Sequence, residues 1–191
     1  MSPITSTLAN SSAYGYRSFA AAAAGAYESI ATATPSGTNT VSFTSIPSTY
    51  TSLQIRISLI TNTGGGSLRG NFNNDSTSAN YIGHYVIGNG SSAIAGSSSG
   101  VGWMAMGFIY NGMLTTYPNV TIIDIHDYAS TTKYKTMRAF SGADQNASGG
   151  AVDLISGLWM STSAINRIDL VTGSGQYQTG STVSLYGIKG A

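Results

Sequence analysis

Cysteine is absent from the sequence, and with it disulfides and thiolate metal sites. Charge is scarce: eight basic and seven acidic residues leave a net charge of +1, and only 8% of residues are charged, against roughly 25% in a typical domain. Such a chain has little self-repulsion and tends to associate. Two histidines are too few for a histidine-rich metal site, and no cofactor is expected. Arg17, Arg56, Arg69, Arg138 and Arg167 are scattered along the chain, so no basic patch points to a nucleic acid. No run approaches the roughly 20 apolar residues of a membrane span. The alanine-rich stretch at 17–26 has alanine in place of a leucine core and no cluster of Lys or Arg before it, so it is not expected to be a signal peptide.

What is present is hydroxyl, glycine and aromatic: 29 Ser, 22 Thr and 24 Gly, with 12 Tyr, five Phe and two Trp. The aromatics stand in alternating runs, which disordered chains lack. With 191 residues, one domain can bury a core without covalent staples.

The stretch from Val120 to Gly142 organises the reading. Thr121, Ile123 and Ile125 alternate with Ile122, Asp124 and His126, and Lys135, Met137 and Ala139 alternate with Tyr134, Thr136, Arg138 and Phe140. Both halves have the period of a strand with one buried face, and Ala129–Thr132 between them suits a hairpin connection. Ser52 to Thr61 is the cleanest strand, with Leu53, Ile55, Ile57 and Leu59 on one side and Gln54, Arg56 and Ser58 on the other. Further strands are read at 27–34 and 40–46, as a hairpin across Pro35-Ser36-Gly37, and at 68–73, 81–87, 101–110, 152–160, 165–171 and 182–188. Gly88 to Gly100 reads as an exposed low-complexity loop.

Ten or eleven short strands without a helical period predict an all-β fold, a two-sheet β-sandwich of jelly-roll type over residues 27–191. The expected inward residues are Leu53, Ile55, Ile57, Ile123, Ile125, Leu154, Ile168, Leu170 and Leu185. Residues 1–26 hold no alternating strand and read as an extended N-terminal arm, with Tyr14, Tyr16 and Phe19 as anchors on a neighbouring subunit. A second interaction candidate is 101–110. Trp103, Met104 and Met106 give it apolar side chains on both faces, so one face needs a partner unless loops cover it.

No constellation reads as an active site, and the chain is expected not to be an enzyme. Asn71, Asn73 and Asp75 alternate oxygen ligands, but the glycine and glutamate of a calcium loop are missing, so an Asx-rich turn is the reading. Asp124, His126 and Asp127 are close in sequence, with no nucleophile elbow to support acyl transfer. Asp144 and Asp153 flank a glycine-rich loop that fixes no separation for glycoside hydrolysis. Trp103 and Trp159 are suited to stacking on sugars, and equally to packing.

Three stretches carry a resemblance: FTSIPSTYTSLQIR (43–56), IIDIHDYASTTKYKTMRAFSG (122–142) and SLYGIKG (184–190), with LISGLW (154–159) between the last two. Over about 27–190 the chain resembles a group of tailed-bacteriophage virion structural proteins, frequent in cyanophage and environmental phage genomes. The resemblance implies a particle component: a capsid decoration (cement) protein bound to the major capsid protein and to itself, with a homotrimer favoured by the local three-fold positions of a lattice. The alternative it leaves is a tail, fibre or baseplate component. The resemblance carries no catalytic residues. A third reading, from a different class and from the residues themselves, is a glycan-binding module that takes host surface sugars through the loops at 73–80, 88–100 and 143–150.

Overall fold

The computed structural model describes residues 26–110, 117–145 and 149–190. Twelve strands follow in chain order: β1 (Tyr27–Ala33), β2 (Thr40–Phe43), β3 (Ser52–Leu59), β4 (Ser67–Phe72), β5 (Tyr81–Gly88), β6 (Ala93–Ser99), β7 (Met104–Phe108), β8 (Asn119–His126), β9 (Lys135–Gln145), β10 (Gly149–Trp159), β11 (Ile168–Thr172) and β12 (Thr182–Ile188). The one helical turn described is a 3₁₀ segment at Ser78–Asn80. The strands form two antiparallel sheets, one of eight in the order β1-β12-β3-β8-β9-β10-β5-β6 and one of four in the order β2-β11-β4-β7. The chain is therefore an all-β, two-sheet sandwich. Its eight-and-four division departs from the two equal sheets of an eight-stranded jelly roll.

The β8–β9 hairpin lies at the centre of the large sheet, with Ile122 opposite Phe140 and Asp124 opposite Arg138. Its connection is longer than the four residues expected. Asp127 takes a positive φ of 51°, its carbonyl accepts Ser130 N–H at 2.9 Å, and its carboxylate pairs with Lys133 at 2.8 Å. Strict alternation explains the inward faces: Leu53, Ile55, Ile57, Ile123, Ile125, Ile168, Leu170 and Leu185 are all buried. Large aromatics complete the core, and three of their phenols find backbone acceptors: Tyr81 on Asp75 O, Tyr128 on Pro47 O and Tyr177 on Leu170 O.

Four expectations are corrected. Leu154 is 56% exposed. In β10 both phases are apolar, and pairing with Phe140 and Val86 places Leu154 outward while Asp153, Ile155 and Trp159 turn in. Pro35-Ser36-Gly37 is not a hairpin turn: β1 pairs with β12 in the large sheet and β2 with β11 in the small one. Gly37 (φ 68°) donates its N–H to Tyr177 O at 2.8 Å, which pins the step between layers. The low-complexity stretch at 88–100 contains β6, paired with β5 along its whole length. Its hairpin is turned by Asn89-Gly90, where Asn89 Oδ1 accepts the N–H groups of Ser91 and Ser92.

The fourth correction concerns the 101–110 stretch. Its strand, β7, is an edge of the small sheet, and Met104 and Met106 belong to the core, 2% and 0% exposed. Each thioether fills the space over a glycine that has no Cβ to oppose it, Met104 at Gly157 and Met106 at Gly70. Neither methionine offers a surface contact.

Candidate functional site

Among the described residues no second layer lies on the outer face of the eight-stranded sheet, yet its middle is apolar. Val120 and Ile122 of β8, Phe140 of β9, Val152 and Leu154 of β10 and Val86 of β5 point outward and are 44–57% exposed. Register makes them neighbours. Ile122, Phe140, Leu154 and Val86 form one row across four strands, and Val120, Gly142, Val152 and Gly88 form the next. Together they leave on the order of 500 Å² of apolar surface open, at the upper end of what a monomer keeps uncovered.

The face is not flat. A groove of about 400 Å³ runs along β12, β3 and β8, lined by Arg56, Ser58, Val120, Ile122, Phe140, Gly142, Thr182 and Ser184. Small side chains at 58, 142, 182 and 184 make its floor low, while Val152 and Leu154 stand beside it as a ridge. The Arg56 guanidinium leans away toward the sheet edge, 5.2 Å from the Tyr27 ring and 5.1 Å from that of Tyr186. These cation–π contacts hold a positive charge at one side of an otherwise apolar hollow.

A polar row closes one end: Gln54, Asp124, Arg138, Ser156 and His84. Asp124 accepts a hydrogen bond from Gln54 at 2.8 Å, and Gln54 accepts one from Arg56 at 2.8 Å. Arg138 is exposed and has no hydrogen-bond or ion-pair partner among the described residues. An apolar centre with a polar, charged rim is the composition of a protein–protein contact surface.

The other sequence candidates resolve into structure. Asp75 accepts hydrogen bonds from Thr77 N–H, Asn80 Nδ2 and Trp159 Nε1, while Asn73 Oδ1 accepts the N–H groups of Asn166 and Arg167. That is an Asx-rich corner whose donors are protein groups. His126 meets Ser52 at 3.3 Å, Asp127 pairs with Lys133 and Asp124 with Gln54, so the three share no common point. Asp144 is exposed and Asp153 buried, on opposite faces of the sheet.

Trp159 is 2% exposed against Phe72, and the half-buried Trp103 has Arg69 over its ring at 4.3 Å. Trp159 thus serves packing, the alternative to sugar stacking, and Trp103 has Arg69 against its ring. Tyr14, Tyr16 and Phe19 lie outside the described residues. No group of three or more His, Asp or Glu suited to a metal occurs among the described residues.

Between the sheets two polar groups are buried, Asp153 and the Tyr110 hydroxyl. Asp153 Oδ2 accepts Phe108 N–H at 3.3 Å, while Oδ1 and the buried Tyr110 hydroxyl have no partner. Burial pushes the Asp153 carboxyl up to about 6, outweighing the Phe108 hydrogen bond that lowers it.

Sequence reasoning missed the outer face because it assigned β8 and β10 one inward apolar phase each. The signal was there: VTII at 120–123 and VDLI at 152–155 are apolar in both phases. No protein-family model matches the sequence, and no curated protein matches it.

Proposed function

We propose that this chain is a non-enzymatic structural subunit of a bacteriophage particle, a decoration (cement) protein that binds the outer capsid lattice and stabilises it. The observation that carries the reading is the uncovered apolar face of the large sheet on a chain with 8% charged residues, a surface suited to life inside an assembly. The sequence resemblance to virion structural proteins supports the same class. In this reading residues 1–26 reach a neighbouring subunit or the major capsid protein through Tyr14, Tyr16 and Phe19. Removing them is expected to abolish binding to empty capsids, and undiminished binding takes the arm out of the mechanism.

Copy number in purified particles tests the assignment. A lattice position requires hundreds of copies per particle, whereas a tail, fibre or baseplate position requires roughly three to a dozen, set by closed point symmetry. Quantitative mass spectrometry against the major capsid protein reads the difference. A count in the lower range replaces the capsid by the tail, and absence from particles refutes both.

A further inference from the structure

The outer face carries its own complement. We infer that it packs against the same face of a second copy of this chain, about a two-fold axis that lies in the plane of contact and runs along the strands between β8 and β9. The inference names the occupant of the face on which the proposed function rests. It concerns the isolated chain, so it stands or falls without the particle.

Shape is the first argument. Across the face the strands run β12, β3, β8, β9, β10, β5. The groove occupies the β12–β3–β8 side and the ridge of Val152 and Leu154 the β10 side. A two-fold axis between β8 and β9 exchanges β3 with β10 and β12 with β5. By register, Val152 of each copy then lies over Ser58 of the other, and Leu154 over the stem of Arg56. The ridge of each enters the groove of its mate, and Phe140 meets Ile122. Apolar sheet faces stack in this way about 10 Å apart, at a modest angle set by their twist.

Charge is the second argument. The same operation brings Arg138 of each copy to Asp124 of the other, twice by symmetry. Among the described residues the Arg138 side chain has no hydrogen-bond or ion-pair partner, and the contact supplies one.

Size and symmetry agree. The apolar centre with its rim of Arg56, Ser58, Asp124 and Arg138 approaches the roughly 800 Å² per partner of a standard interface. A three-fold ring needs two different patches meeting head to tail, whereas a two-fold needs one that fits itself. Among the described residues one such patch is exposed, which favours a dimer over the trimer expected from the sequence.

The test is sedimentation equilibrium of the full chain, with three sets of variants. Wild type is expected to be dimeric at micromolar concentration and to remain so at about 1 M salt, where screening falls to about 3 Å. Leu154→Asp and Phe140→Asp change exposed side chains, so both should fold with unaltered circular dichroism and raise the dissociation constant by roughly 30-fold or more. Arg138→Asp and Asp124→Arg should each weaken self-association, and mixing the two should restore a heterodimer. Ser58→Cys and Val152→Cys, in a chain with no other thiol, should be joined by a short bismaleimide linker on mixing the two and little alone, because facing sheets about 10 Å apart exceed the reach of a direct disulfide. A monomer at every concentration, a trimer, or a dimer indifferent to Leu154→Asp and Phe140→Asp overturns the inference. A dimer that no particle contains would refute the proposed function and leave this contact intact.

Discussion

The indole nitrogen of Trp159 donates to Oδ2 of Asp75 at 2.7 Å, tying the end of β10 in the large sheet to the corner that follows β4 of the small one. The Asp75 carboxylate also accepts Thr77 N–H and Asn80 Nδ2. Burial works to raise its pKa, but these hydrogen bonds outweigh it and hold the group at about 2. One side chain thus closes a turn, orients the largest core aromatic and joins two layers.

The sign follows from the depressed value. Above pH 4 the carboxylate is charged in both states and its full contribution is present. That contribution is lost as pH falls from about 4 to 2, where only the folded form resists protonation. Asp75→Asn is expected to cost about 1–2 kcal/mol at neutral pH, since the site is partly exposed. It should also flatten the urea midpoint between pH 4 and 2. An unchanged slope there would remove Asp75 from the account.

Asp153 titrates in the opposite sense. Its folded-state value of about 6 lies above that of an unfolded aspartate, so from pH 4 to 6 the folded chain keeps a proton that the unfolded chain has lost. Stability therefore falls as pH rises through that window and stays lower above it. Asp153→Asn preserves the shape and is expected to stabilise the chain at pH 7–8 by on the order of 2 kcal/mol, with no gain at pH 4. With Asp75 acting below and Asp153 above, the stability optimum should lie near pH 4–5. Calorimetry across that range checks both the optimum and its shift in the variant.

Gly187 of β12 lies under the Tyr50 ring, which occupies the place a Cβ would need. The Tyr50 hydroxyl donates to Glu28 of β1 at 2.9 Å, and Lys189 pairs with the same carboxylate at 2.6 Å. Gly187→Ala is expected to displace the ring and cost about 1–3 kcal/mol, the range for overpacking a filled site. Thermal unfolding of the alanine variant at wild-type melting temperature would show that the ring simply moves aside.

How much of this was legible in the sequence follows from side-chain periodicity. In β3 the alternation of Leu53, Ile55, Ile57 and Leu59 with polar residues left one choice of face, and the β8–β9 hairpin was equally plain. β10 was ambiguous, because Val152, Leu154 and Ile155 are apolar in both phases. Only pairing with β9 and β5 decides which of them faces water, and pairing is a long-range property. The same reason hid the site. Its residues come from strands far apart in sequence, and nothing local in Val86 or Phe140 marks them as neighbours. The 101–110 stretch misled for a related cause: Trp103 beside Met104 looked like two apolar faces in need of a partner, but Met104 and Met106 share one face and both enter the core, where glycines at 157 and 70 open room for them. Asn89-Gly90 was a hairpin signal obscured by the serine-rich composition around it.

Lys135 gives the last prediction. It is fully buried at the start of β9, with Nζ donating to Lys133 O at 2.7 Å and Ser161 O at 3.4 Å and lying 6.0 Å from the Trp159 ring. Burial lowers its pKa, because desolvation penalises the ammonium and two carbonyls only partly replace water. A base depressed in the folded state costs stability while it is charged, and stability recovers as pH rises toward the unfolded value near 10.4. The aliphatic stem, by contrast, fills core volume beside Trp159 and is favourable. Charge and stem can be separated. Lys135→Met keeps the volume and removes the charge, and is expected to change stability at pH 7 by less than about 1 kcal/mol. Lys135→Ala removes both and leaves a cavity, at a cost of about 2–4 kcal/mol. Both variants should lose the rise in stability between neutral pH and about pH 10, where the unfolded lysine titrates. Urea titrations at the two pH values decide it. A methionine variant as damaged as the alanine one would mean that the bonds to Lys133 O and Ser161 O, and not the stem, hold this corner.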